Sequence, residues 1–281
     1  MFRKAYGKIN LCLDVLSKRE DSYHNIDTVM AKISLYDEMN FQKISSGIKI
    51  EGSFDFNPEE NLIYKAWRSL CQYTKKDLGL YVKVKKNIPT AAGLAGGTAN
   101  GAMILNALND LYHLKISEEE MQKISLKLGA DFPFMMQKKN KRARGVGEIL
   151  SPAGDFYFKK VLLINPGYGI STPSVYKKIK ITEDRIDIDG ILRALNERDF
   201  NFLRENLKNK MEDVVFKDHR DLRLIKDRLS DFGGISLMSG SGASIFSIFE
   251  NEKDLEEAYE FFAPSYKYVF RVEVGENCGS I

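Results

Sequence analysis

Cysteine is scarce and scattered. The 281 residues hold three, Cys12, Cys71 and Cys278, an odd number that forms neither a disulfide framework nor a zinc spacing and fits a reducing cytoplasm. Charge of one sign is also lacking: 42 basic against 39 acidic residues leave a formal net charge of +3, too even to point to nucleic acid. No apolar run approaches the roughly 18 residues of a membrane span. The opening Met1-Phe-Arg-Lys-Ala-Tyr-Gly-Lys enters a strand-like run without a signal-peptide core. These absences predict a soluble, cytoplasmic protein with no nucleic-acid or membrane partner. Two familiar phosphate loops are missing too. No Gly-Lys-Ser/Thr triplet occurs for a Walker loop, and the glycine spacing at residues 93–97 is wrong for a Rossmann turn.

What is present is ordinary globular composition, 43% hydrophobic and 29% charged, in a chain long enough for one large or two medium domains. The most distinctive stretch is 88–109, which begins as a glycine-rich turn and continues as an apolar helix with Ala102, Leu105, Leu108 and Asn109 at helical spacing. Gly93, Gly96 and Gly97 are expected to allow positive φ and to bring backbone N–H groups close to a bound group. A loop feeding the first turn of a helix favours phosphate through its unpaired donors and the helix dipole. A Gly/Ala-rich helix start packed tightly on a neighbour reads the same way.

Around that stretch the chain alternates strands and helices. Residues 3–16 alternate with Ile9, Leu11, Leu13 and Val15 on one side and Lys8, Asn10, Cys12 and Asp14 on the other, so Lys8 and Asn10 share a face. By themselves they fit a solvated strand face equally well. Residues 33–54 read as short antiparallel strands, 61–70 as a helix, and 81–86 as a strand that brings Lys83, Lys85 and Lys86 near the mouth of the glycine loop. Tyr23 offers a flat ring for a nucleobase and His24 a ring nitrogen for a base edge, although a packing tyrosine and an exposed histidine explain them as simply. Ser117 and Glu120 form a capping box; Gly129 is a candidate C′ residue, and Pro133 stops the preceding helix beside Asp131. Composition turns loop-like around Ser151-Pro-Ala-Gly-Asp, which divides the chain into domains 1–153 and 154–281. The basic run 138–144 reads as a charged strand rim. Gly240 and Gly242, with Ser239, Ser241 and Ser244, make a second tight turn.

Five segments, in order, resemble the GHMP kinases, the superfamily of galactokinase, homoserine, mevalonate and phosphomevalonate kinases. Residues 89–100 match its second motif, Pro-x-x-Ala-Gly-Leu-x-Gly-Gly-Thr/Ser-x-Asn/Asp, and residues 237–249 its third. The run Ala5-Tyr-Gly-Lys-Ile-Asn-Leu-Cys-Leu, the run Asp21-Ser-Tyr-His-Asn-Ile-Asp-Thr and the run Gly129-Ala-Asp-Phe-Pro-Phe resemble the branch whose substrate carries cytidine diphosphate. Tyr-His after a turn is not shared with the mevalonate or homoserine enzymes. Ile170-Ser-Thr-Pro-Ser-Val-Tyr resembles a further segment of that branch, and Asn209-Lys-Met-Glu is similar to its Asn-x-Leu-Glu. The chain departs from the pattern at Lys138 and Lys139, which replace two glycines of the branch; if positive φ is required there, each lysine costs about 1 kcal/mol.

The resemblance implies a two-lobed α+β architecture, with a mixed or antiparallel N-terminal sheet bearing helices, a ferredoxin-like C-terminal α/β lobe and an active site in the cleft between them. It implies transfer of the γ-phosphate of ATP, with magnesium, to the tertiary 2-hydroxyl of a cytidine-diphosphate-linked sugar alcohol in the non-mevalonate route to isoprenoids. Asp131 takes the general-base role and Lys8 pairs with it or with the developing charge. Pro89, Thr90, Ala91, Ala92, Gly93, Leu94, Ala95, Gly96, Gly97, Thr98 and Ala99 take the nucleotide. Asn10, Tyr23, His24, Thr172 and Tyr176 take the cytidine substrate, Tyr176 as the ring opposite Tyr23. The metal ligand is not assigned, with Thr98 a candidate. A monomer or weak homodimer is expected.

Overall fold

The protein is described by a computed structural model covering residues 1–53, 58–276 and 278; the end of the 33–54 strand reading, at Phe54, lies outside these residues. The strands are β1 (Phe2–Lys18), β2 (His24–Lys43), β3 (Ile48–Glu51), β4 (Leu80–Lys85), β5 (Lys141–Gly145), β6 (Ile149–Pro152), β7 (Tyr157–Asn165), β8 (Ile235–Met238), β9 (Ile245–Ile248) and β10 (Tyr268–Gly275). The helices are α1 (Leu62–Thr74), α2 (Gly96–Leu111), α3 (Glu118–Leu126), α4 (Phe132–Met135), α5 (Thr172–Lys178), α6 (Ile188–Glu197), α7 (Phe200–Asn206), α8 (Glu212–Asp218), α9 (Arg220–Asp231) and α10 (Glu252–Phe262).

In the N-terminal half, β2 is the spine. It pairs antiparallel with β1 along most of its length, with β4 near its end and with β5 near its start. The stretch expected as several short strands from Ile33 onward is therefore the second half of one long strand, and β3 joins β4 in parallel rather than antiparallel. Helices α1, α2 and α3 cover one face over a core that includes Ile63, Leu70, Leu80, Leu105 and Phe134. Local chemistry sets their ends. The Asn61 side chain accepts from the Ile63 N–H at 2.9 Å, and Ser117 with Glu120 completes the expected capping box.

The second half runs β7, helices, β8, β9, α10, β10, with β10-β7-β9-β8 as the order in its antiparallel sheet. This is the ferredoxin-like arrangement that the resemblance implied. The two halves join where Val274 of β10 pairs with Ile33 of β2, and a core containing Ile9, Leu11, Ile33, Leu163 and Val274 runs across the junction.

Strand β1 departs from simple alternation. The register against β2 slips between Asn10 and Cys12, a one-residue bulge that exchanges the faces of the residues from Cys12 to Val15, up to a second slip between Val15 and Ser17. Leu13 and Val15 consequently pack with Ile26, Met211 and Ile245, whereas Ile9, Leu11 and Cys12 stay in the core at the junction. The expected grouping of Leu13 and Val15 with Ile9, and of Cys12 and Asp14 with Lys8, is reversed by that bulge.

Candidate active site

A cleft of about 1270 Å³ opens between the halves, and nearly every candidate residue lines it. Its centre is the pair predicted from β1 and the turn before α4. The Lys8 ammonium lies 3.5 Å from the Asp131 carboxylate, with the Lys8 side chain 5% exposed and that of Asp131 34%. Lys8 also donates to Asn10 Oδ1 at 2.6 Å, and Asn10 Nδ2 donates to Thr28 Oγ1 at 2.9 Å. A buried ammonium is therefore fixed by an amide that is itself fixed, with its remaining direction toward a half-open carboxylate. Asp131 does not end α3; it stands at the start of α4, and Pro133 sits in the first turn of that helix, where its missing N–H costs nothing. The Phe132 ring packs against Gly101 of α2 so closely that a Cβ there would stand 2.7 Å from it, which holds the Asp131 turn down on the helix.

The glycine loop borders the same centre. Its carbonyls face into the protein: Ala91 O accepts from Ile170 N, Ala92 O from Ser244 N, Gly93 O from Ser239 Oγ at 2.9 Å and Leu94 O from Lys8 N at 3.0 Å. In a trans peptide the N–H points opposite the carbonyl, so the donors of the following residues face away from these partners. Positive φ falls on Ala91, Gly93 and Ala95. This corrects the expectation for Gly96 and Gly97, which form the first turn of α2 instead. At Gly93 a side chain would collide with the Ser239 carbonyl. Pro89, Thr90, Ala91, Ala92, Gly93, Ala95, Gly96, Gly97 and Thr98 line the cleft, but the side chains of Leu94 and Ala99 are buried in the core, Leu94 from the loop and Ala99 from the inner face of α2.

At the other end lie Tyr23, His24, Thr172 and Tyr176. The hairpin loop is closed by Arg19 N to Tyr23 O at 2.8 Å and by Asp21 Oδ1 accepting from Tyr23 N at 3.1 Å, which leaves Tyr23 63% exposed. The ring that contacts Tyr176 is His24, stacked at 5.0 Å and 19°. His24, the first residue of β2, points inward onto Tyr176, a contact that the spacing did not foretell, while Tyr23 belongs to the turn and lines the same cleft. Burial and then Lys18 hold the His24 imidazolium below its usual range, and burial and then Asp131 push the Tyr176 hydroxyl up. Thr172 Oγ1 shares a hydrogen bond of 2.7 Å with Ser241 of the third motif.

Sequence reasoning missed Asp37. Fully buried on β2, it accepts from Asn87 N at 2.7 Å, Ile88 N at 2.9 Å and Asn100 Nδ2 at 2.9 Å, and pairs with the Lys86 ammonium. Lys86 and Asn100 line the cleft, so this carboxylate fixes the entrance of the glycine loop. An acidic residue in an apolar strand was the available signal. Lys83 and Lys85 instead pair with Glu51 and Glu38 on the outer sheet. Lys138 and Lys139 are not among the positive-φ residues, so the lysines that replace glycines carry no backbone cost of that kind. In the same basic run, Lys139 pairs with Asp155 and Glu276, and Arg142 with Asp27 and Asp189.

A two-lobed fold with a glycine loop, an ammonium and a carboxylate at one cleft defines a small-molecule kinase class. Models of the GHMP kinases N terminal domain and the GHMP kinases C terminal region match residues 61–138 and 191–267. A 4-diphosphocytidyl-2-C-methyl-D-erythritol kinase of Clostridium perfringens is 37% identical over 277 residues, covering 95% of each chain. One of Acetivibrio thermocellus is 38% identical over 262 residues, covering 92% of this chain and 93% of its own. A crystal structure of 4-(cytidine 5'-diphospho)-2C-methyl-D-erythritol kinase superposes with a TM-score of 0.85 at 30% identity, covering 98% of this chain and 99% of that one. The chain belongs to the GHMP kinases and, within them, to the 4-diphosphocytidyl-2-C-methyl-D-erythritol kinase family. No helix among the described residues is long and apolar enough to cross a membrane.

Proposed function

We propose that the protein transfers the γ-phosphate of ATP to the 2-hydroxyl of 4-diphosphocytidyl-2-C-methyl-D-erythritol, a step of the non-mevalonate route to isoprenoids. The observation that carries this reading is the Lys8–Asp131 pair, 3.5 Å apart, in one cleft with the glycine loop and the His24–Tyr176 stack. Asp131 accepts the proton of the attacking hydroxyl, and Lys8, held by Asn10, orients that hydroxyl and offsets the charge that develops on it. The loop donors and the start of α2 take the nucleotide phosphates. Tyr23, His24, Thr172 and Tyr176 take the cytidine end, where His24, kept neutral by burial, presents one donor and one acceptor to a base edge.

Magnesium fits this cleft as an ion shared with the nucleotide. Thr98, in the first turn of α2, lines it, and an ion of this kind takes one or two protein oxygens together with substrate phosphates. When bound, it spreads the charge of the phosphates. In the same reading residues 1–153 form the nucleotide-holding domain and residues 154–281 the second. The protein works as a soluble cytoplasmic enzyme, monomeric or weakly dimeric.

The test is ADP release from ATP with the cytidine substrate, mevalonate and homoserine offered separately. Turnover is expected with the cytidine substrate alone and is expected to fall roughly 10²–10⁴-fold in Asp131→Asn with ATP binding retained. Turnover with mevalonate or homoserine in its place, or an Asp131→Asn variant near full rate, refutes the assignment.

A further inference from the structure

The segment Asn209-Lys-Met-Glu supplies no side chain to the Lys8–Asp131 pair, yet the Asn209 amide nitrogen is spent on the 238–240 stretch beside that pair. Asn209 is 4% exposed. Its Nδ2 donates to Met238 O and to Gly240 O, both at 2.8 Å, and its Oδ1 accepts from Met211 N at 2.9 Å. The backbone on either side is bonded to β1: Leu13 N donates to Lys208 O at 3.0 Å and Lys210 N to Leu13 O at 2.9 Å. Glu212, at the start of α8, accepts from Met238 N at 2.8 Å and pairs with Lys226.

The turn so held reaches the centre of the cleft. Ser239 Oγ accepts from Asn10 N at 3.4 Å and donates to Gly93 O at 2.9 Å. Gly240, at φ +57°, lies so near the β1 site that a Cβ on it would be 3.2 Å from Asn10 Oδ1 and 3.8 Å from the Lys8 ammonium. Asn209 thus registers three pieces against each other: through the backbone on either side of it the strand that carries Lys8 and Asn10, through its amide the turn at 239–242, and through Ser239 the glycine loop. Only an amide suits the place. Two carbonyls require two donors on one atom and the Met211 N–H requires an acceptor on the other, which an aspartate of the same shape cannot supply.

We propose that Asn209 is a positioning residue for phosphoryl transfer, fixing the 239–242 turn against Lys8 and Asn10; this rests on the reading of the cleft given above. A carboxylate at 209 faces two carbonyl oxygens and pushes the turn away, and displacements near 1 Å at a reacting centre cost on the order of 10²-fold in rate. Asn209→Asp is therefore expected to lower kcat by roughly 10–100-fold, with KM for ATP and for the cytidine substrate within about threefold of the parent. Glu212→Gln keeps an acceptor for Met238 N and loses only the charge pair with Lys226, so it is expected to lower Tm while keeping kcat within about twofold. Both variants are assayed well below their own Tm. Should Asn209→Asp not fold, Asn209→Ser, which retains one donor, serves in its place with an expected fall of about 3–30-fold. If the two substitutions lower Tm alike and neither lowers kcat, Asn209 is only structural and the proposal fails. If the parent does not turn over the cytidine substrate, the failure lies instead with the assigned reaction.

Discussion

Replacing Lys32 by methionine should stabilise the protein at neutral pH. Lys32 stands opposite Lys8 in the β1–β2 ladder, and its ammonium donates to Met135 O at the end of α4 at 3.2 Å. Burial pushes it down to about 8, and the Lys138 charge adds to the effect. An ammonium that titrates normally near 10.4 and is held near 8 in the fold represents roughly 3 kcal/mol of penalty when both states are protonated. The side chain keeps some contact with water, which reduces the figure to about 2 kcal/mol. The sign follows from proton counts. Between the folded and unfolded values the unfolded chain binds the extra proton, so this group makes stability rise with pH; below about 8 it contributes no slope and the full penalty. Methionine has nothing to titrate and fills a similar volume. The measurement is chemical denaturation of both proteins from pH 6 to 10.5. The difference in unfolding free energy is expected to favour the variant by about 2 kcal/mol at pH 7 and to shrink toward zero as pH approaches 10.5. A difference constant across that range, or a variant less stable at pH 7, refutes the argument.

The remaining expectations concern the cleft and its rim. Lys8→Ala should lower kcat by a factor comparable to Asp131→Asn with little change in KM; a rise in KM alone, measured by steady-state kinetics, would make Lys8 a binding group only. Tyr23→Ala should weaken the cytidine substrate by about 1–3 kcal/mol with little effect on ATP, and equal weakening of both in titration calorimetry contradicts the pocket assignment. Ser22, at φ +69° in the β1–β2 turn, bears about 1 kcal/mol of left-handed strain. Ser22→Gly should therefore gain a few tenths of a kcal/mol after the extra chain entropy of glycine. A loss of 1 kcal/mol or more on denaturation shows that the hydroxyl, not φ, matters there.

The parts legible in the sequence were those whose cause is local. The capping box at Ser117 and Glu120 is a four-residue event, and the structure contains both of its bonds. Lys8 and Asn10 are two apart on an uninterrupted piece of strand, so they share a face as alternation requires, and the hydrogen bond between them has that origin. Three residues later the rule fails. The bulge at Leu11 is imposed by pairing with β2 and leaves no mark in the composition of β1. The side reached by Leu13 and Val15 was not readable for that reason. Asp37 was missed for a related one. Its four partners come from a turn and a helix 49 to 63 residues away, and sequence spacing says nothing about such a meeting. The stack of His24 on Tyr176 was not foreseen, because inward and outward at the β1–β2 turn are decided where the turn ends and the strand begins.

The placement of alanine at two positive-φ positions follows from how the loop is held. Ala91 and Ala95 lie at φ +52° and +53°, where an L-residue costs on the order of 1 kcal/mol more than glycine. Four consecutive carbonyls, from Ala91 to Leu94, are taken up by Ile170, Ser244, Ser239 and Lys8, so partners from three separate segments fix the conformation whether or not the side chains favour it. A methyl group at each position restricts the chain further than glycine does, so less freedom remains to be lost when phosphate binds. The same bonds make the loop depend on β1. Leu94 O is held by the backbone of the residue whose side chain meets Asp131, so the proposed phosphate donors and the proposed reacting pair are registered through a single peptide of the strand. A shift of β1 relative to the loop therefore moves donor and acceptor sites together, and the geometry of transfer is set by the fold before either substrate arrives.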